Sequence, residues 1–109
     1  MNMITALKVG ALVTLLPQIA AAQSDEYCIA IEKYAANIMR ERQEETRTVG
    51  EQLAIVQQSN MANDVKEMSR SLILQAYGQP VYNSKEIREK SIKHFANYVA
   101  VTCYGGATN

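Results

Sequence analysis

The stretch Ser24-Asp-Glu-Tyr-Cys28-Ile-Ala-Ile31-Glu-Lys-Tyr-Ala35-Ala-Asn-Ile38-Met39 decides the fold. Cys28, Ile31, Ala35, Ile38 and Met39 recur at helical spacing and form one apolar stripe. Ser24 stands where an N-cap belongs, and Asp25 and Glu26 suit the positive end of the helix dipole. This predicts a first helix from Asp25 to Gln43, with Arg40-Glu-Arg-Gln-Glu-Glu45 carrying the chain into a polar stretch.

The same period recurs downstream, and no segment alternates as a half-buried strand does. Thr48-Val-Gly-Glu51 has the spacing of a capping box and predicts a short helix through Gln58 that buries Leu53, Ile55 and Val56 in part. Asn60 is the expected cap of a third helix, Met61 to Tyr77, with Met61, Val65, Met68, Leu72, Ile73 and Ala76 on its apolar stripe. Gly78 is the expected left-handed terminator, with Pro80 just beyond. Asn83-Ser-Lys-Glu86 opens a fourth helix with Ile87, Ile92, Phe95, Val99 and Cys103 on its apolar side, and Gly105-Gly106 ends it. Four helices with short connections pack most simply as antiparallel neighbours, so the expected fold class is all-α, a small bundle of about four helices.

Residues 1–22 read differently. Lys8, a short apolar run from Val9 to Leu16, helix-breaking Pro17 and the ending Ala20-Ala-Ala22 form the pattern of a cleavable secretory signal peptide. Cleavage after Ala22 makes Gln23 the new N-terminus. The apolar run is far shorter than the roughly 20 residues of a membrane span, so no stable anchor is expected after cleavage. Removing 22 residues from 109 leaves 87, which is one domain, residues 23–109, expected in the periplasm or secreted.

Cys28 and Cys103 both fall in the exported part, near its two ends. An even count in an oxidising compartment reads as one disulfide, and an antiparallel bundle brings the first turn of the first helix to the last turn of the fourth. In the chain-entropy view, closing a loop of that length stabilises the fold by roughly 4 kcal/mol. A domain of this size has a modest core and gains from such a staple. Without Lys8, 11 basic residues become 10 against 11 acidic ones. The two signs are interspersed, which argues against a nucleic-acid partner or an anionic membrane surface.

Chemistry is scarce. His94 is the single histidine and has no positioned nucleophile beside it; Cys28 is the one nucleophile worth pairing with it, and the disulfide silences that pair. Two cysteines and one histidine do not make a zinc site, and Glu41, Glu44 and Glu45 beside Arg40, Arg42 and Arg47 read as a solvated charged face. No metal and no cofactor are expected, and phosphate-binding glycine patterns are absent. The three methionines of the exported part, Met39, Met61 and Met68, read as core packing. Tyrosine is enriched in binding surfaces, and Tyr77 and Tyr82 flank the Gly78-Gln-Pro80 turn as an aromatic knob, the candidate interaction surface. The alternative is that Tyr82 packs back over the bundle end as a staple to Ile87.

Cys28, Ile38-Met39, Arg42-Gln43, Ala76-Tyr77, Pro80, Tyr82, Phe95 and Cys103 together follow a recognisable order. In this the chain resembles the small exported helical proteins of unknown function common in phages and prophages of Gram-negative bacteria. It departs from their pattern after Arg42-Gln43, where a glycine is usual and Glu44-Glu45 stands instead. The resemblance implies an exported, disulfide-bonded helical fold of phage-related origin and brings no catalytic residues. In layout the chain is also similar to exported helical lysozyme inhibitors of phages.

These features converge on a non-enzymatic exported protein that acts by binding another periplasmic protein. An inhibitor of a cell-wall hydrolase, or a modifier of infection, is the sharpest form of that expectation. A thiol-dependent enzyme or redox protein and a chaperone are the competing classes. The first needs a free low-pKa thiol and the second an exposed apolar face. No residue pattern sets an oligomeric state.

Overall fold

The computed structural model describes residues 24–105. The expected signal peptide, its cleavage site at Ala22 and the tail from Gly106 lie outside these residues. The described chain is all-α: α1 (Asp25–Glu44), α2 (Val49–Gln57), α3 (Asn63–Tyr77) and α4 (Lys85–Gly105) form a helical bundle, with no strand among the described residues. A disulfide between Cys28 and Cys103 joins the first helix to the last, with a Cα–Cα distance of 5.6 Å.

The described residues fall into two compact units. A terminal unit holds residues 24–33 and 97–105, and a central unit holds Tyr34–Ala96. Only α1 and α4 enter the terminal unit, where Cys28, Ile31, Val99 and Ala100 are buried. The central unit has the larger core. Ala35, Ile38 and Met39 of α1, Val56 of α2, Leu72, Ile73 and Ala76 of α3, and Ile92, Phe95 and Ala96 of α4 are all buried there. All but Ala96 lie on the predicted stripes, whereas the predicted Val65 and Met68 are only half-buried and Met61 precedes α3. Within this unit Arg40, near the end of α1, meets Glu89, near the start of α4, as antiparallel neighbours do.

The helix ends follow local chemistry, partly as expected. Ser24 accepts the Tyr27 amide at 3.0 Å and starts α1. Thr48 and Glu51 form the full capping box of α2: the Thr48 hydroxyl accepts the Glu51 amide at 3.1 Å, and the Glu51 carboxylate accepts the Thr48 amide at 2.8 Å.

Four expectations need correction. Asn60 does not cap the third helix. The Ser59 hydroxyl takes the Met61 amide at 3.3 Å, and α3 starts later, from Ala62, where the Asp64 carboxylate accepts the Val65 amide at 2.8 Å in place of a cap side chain. Gly78 is right-handed (φ −76°, ψ −13°), because Pro80 disfavours helical backbone at Gln79 and stops the helix without a positive φ. Ser84, not Asn83, caps α4 by accepting the Ile87 amide at 3.1 Å, which moves Ile87 off the staple position and leaves it exposed. Ile55 is also exposed, because α2 turns Gln52 and Val56 inward instead.

The left-handed residue is Glu45 (φ 57°) at the end of α1. The Thr46 amide donates to the Glu41 carbonyl at 3.2 Å and the Glu45 amide to the Arg42 carbonyl at 3.3 Å, the paired bonds of a Schellman cap. That position favours glycine, so a glutamate here stores strain in the cap.

Candidate functional site

The predicted Arg40–Glu45 polar stretch is helical as far as Glu44, and one of its residues is buried. Gln43 is only 3 % exposed. Its amide reaches the loop between α3 and α4: Nε2 donates to the Pro80 carbonyl at 2.8 Å, and Oε1 accepts the Tyr82 amide at 3.0 Å. Beside it, Arg42 Nε donates to the Gln79 carbonyl at 2.9 Å. From the other side, Arg88 of α4 donates to the carbonyls of Tyr82 at 2.8 Å and Asn83 at 3.1 Å. Three side chains thus hold the main chain at every residue from Gln79 to Asn83 except Val81. A buried amide is costly unless its donor and acceptor are both matched, and here the loop backbone matches them.

The two tyrosines singled out in the sequence lie at this loop, and both are half-buried. Tyr77 carries the Arg42 guanidinium over its ring at 5.5 Å and donates its hydroxyl to the Arg47 carbonyl at 2.8 Å, which ties the α1–α2 connection to the end of α3. Tyr82 contributes its backbone N–H and C=O to the clamp. Gly78, Gln79, Pro80 and Asn83 face solvent, as do Glu45, Thr46 and Arg47 on the neighbouring connection. The result is a loop fixed from beneath, with its outer side open.

The charges of this region are largely matched internally. Arg40 pairs with Glu89 at 2.9 Å and with Glu44 at 3.7 Å, and Arg47 pairs with Glu41 at 3.5 Å. Glu41 also accepts a hydrogen bond from the Gln52 amide. The hydrogen bond from Arg40 holds the Glu89 carboxyl below the usual glutamate range; the nearby cationic charges act the same way and lost hydration opposes them. The reciprocal hydrogen bond raises Arg40.

The other candidate residues stand apart from this loop. His94 is exposed on α4. Both cysteines are in the disulfide, so Cys28 offers no thiol to pair with it. Among the described residues no group of three or more His, Cys, Asp or Glu side chains is placed to hold a metal ion. Shallow depressions of about 280 and 540 Å³ on α3 share Glu67 and Arg70 and open to solvent. The larger is lined by Glu67 and Ser71, and there the Ser71 hydroxyl accepts the Gln75 side-chain amide at 3.1 Å. No described helix is long and apolar enough to cross a membrane.

Sequence reasoning placed Tyr77, Pro80 and Tyr82 together but missed Gln43, Arg42 and Arg88 as the side chains that organise them. No protein family, curated protein or solved structure matches this chain.

Proposed function

We propose that this chain is an exported, non-enzymatic protein that works in the periplasm by binding another protein, with the Gly78–Asn83 loop and its Tyr77–Tyr82 frame as the contact surface. The observation that carries the reading is the clamp. Gln43, itself buried, fixes the loop backbone by two hydrogen bonds, and Arg42 and Arg88 add three more. Ordering a loop on binding costs affinity, and a loop already ordered by its own fold avoids that cost. The outer residues Gln79 and Pro80 remain open to a partner. Tyrosines held on one face and wet on the other suit such contacts.

The test is affinity capture. Tagged, oxidised protein lacking residues 1–22 is crosslinked in a periplasmic extract, with untagged protein as competitor. The reading predicts one saturable partner whose recovery falls when Gln43→Ala releases the loop. It fails if the folded, oxidised protein captures nothing that the untagged protein displaces, or if Gln43→Ala captures the same partner equally well.

A further inference from the structure

We infer that the Cys28–Cys103 disulfide is a redox-sensitive latch: it keeps the two arms of the terminal unit helical, and its reduction unravels those arms while the central unit stays folded. The terminal unit draws its described residues from α1 (25–33) and α4 (97–105) alone, whereas α2 and α3 lie wholly in the central unit. The two arms are the outer ends of the long helices α1 and α4, and helix ends open locally at lower free energy than a packed core. Their buried apolar set is small, namely Cys28, Ile31, Val99 and Ala100, and Cys28 belongs to the cross-link itself. The central unit has ten buried apolar residues, and the Gln43 clamp and the Arg40–Glu89 pair also belong to it. The covalent bond therefore acts where non-covalent packing is thinnest.

The two cysteine residues are unequally exposed. Cys28 is 0 % exposed, and Cys103 is only half-buried. A dithiol reductant attacks from the open side. Its thiolate forms a bond to Cys103 Sγ, the bond between Cys103 and Cys28 breaks, and Cys28 departs as a thiolate that takes a proton. The second thiol of the reductant then displaces Cys103, so the reductant leaves as a disulfide and the protein gains two electrons and two protons. The consequence reaches the surface. Tyr98 (62 % exposed), Val101 (61 %) and Tyr104 share the outer side of the last α4 turns, and they form one face only while those turns remain helical. The clamped loop lies in the central unit.

The test is hydrogen exchange followed by mass spectrometry on the full exported chain, oxidised and then reduced with dithiothreitol and alkylated. After reduction, exchange of peptides within 25–33 and 97–105 is expected to accelerate at least tenfold more than that of peptides within 35–57 and 63–95. A partial reaction with glutathione is expected to leave the adduct on Cys103 and the alkylating label on Cys28. Equal acceleration along the whole chain would show that the bond holds the entire fold and overturn the latch, as would unchanged protection in the two arms. An adduct found chiefly on Cys28 would overturn the direction of attack.

Discussion

Replacing Gln43 tests the clamp most sharply, because the side chain is buried and both ends of its amide are used. In Gln43→Ala the Pro80 carbonyl loses its donor but belongs to an exposed residue, so water replaces the bond at a net loss of about 1 kcal/mol. The Tyr82 amide is less fortunate: its residue is half-buried, and an unmatched donor there costs about 1–2 kcal/mol. Loss of packing around the aliphatic part of the side chain adds about 1 kcal/mol, for a total of about 3 kcal/mol. In a domain of this size that lowers Tm by on the order of 15 °C. Gln43→Met retains most of the volume and removes the bonds, so it should lose about 2 kcal/mol and separate the hydrogen bonds from the packing. Urea unfolding gives the stabilities, with an unchanged m value as the sign that the unfolded state is the same. Amide exchange at Tyr82 reports the clamp directly. If Gln43→Met stays within about 0.5 kcal/mol of the parent and Tyr82 keeps its protection, the loop is held by something else and the reasoning is wrong.

Three smaller predictions concern other sites. Glu45→Gly should stabilise the protein by about 1 kcal/mol in thermal unfolding, because it removes the left-handed penalty at the α1 cap, whereas Glu45→Ala should give no such gain. Ser69 is completely buried and its hydroxyl has no hydrogen-bond partner among the described residues, so Ser69→Ala should raise stability by about 1 kcal/mol, and a loss on substitution would reveal a hidden acceptor. Glu89 has a folded-state pKa below its unfolded one, so its contribution is present above the unfolded value and disappears as pH falls through the folded value. Stability measured against pH should therefore show a shallower acid limb in Glu89→Gln, and added salt should shrink the difference between the two proteins.

The fold was legible because helical spacing is a property of the chain itself. Cys28 to Met39 and Val65 to Ala76 each place most of their apolar residues on one side, Ile29 and Leu74 excepted, and two cysteines at opposite ends of an antiparallel path need only one geometry. Helix ends were less legible, since several polar residues compete for the same orphan amides. Ser59 accepts the Met61 amide and α3 starts from Ala62 instead of Asn60, and Ser84 caps α4. The clamp was illegible for a stronger reason. Gln43 and the carbonyl it binds at Pro80 are 37 residues apart, and a glutamine amid Arg42, Glu44 and Glu45 carries no sign that it is buried. The left-handed Glu45 was illegible too: the backbone adopts a conformation that glycine favours, and a glutamate at that position gives no sign of it.

Site-specific photocrosslinking tests the binding account most directly. A photoreactive residue is placed at Gln79 on the outer side of the clamped loop, and separately at Ser71 on the exposed side of α3, in the oxidised exported protein. The account predicts a saturable crosslink to a single periplasmic protein from position 79 and none from position 71. Crosslinking of that protein from position 71 but not from 79, or equal labelling from both, would contradict it.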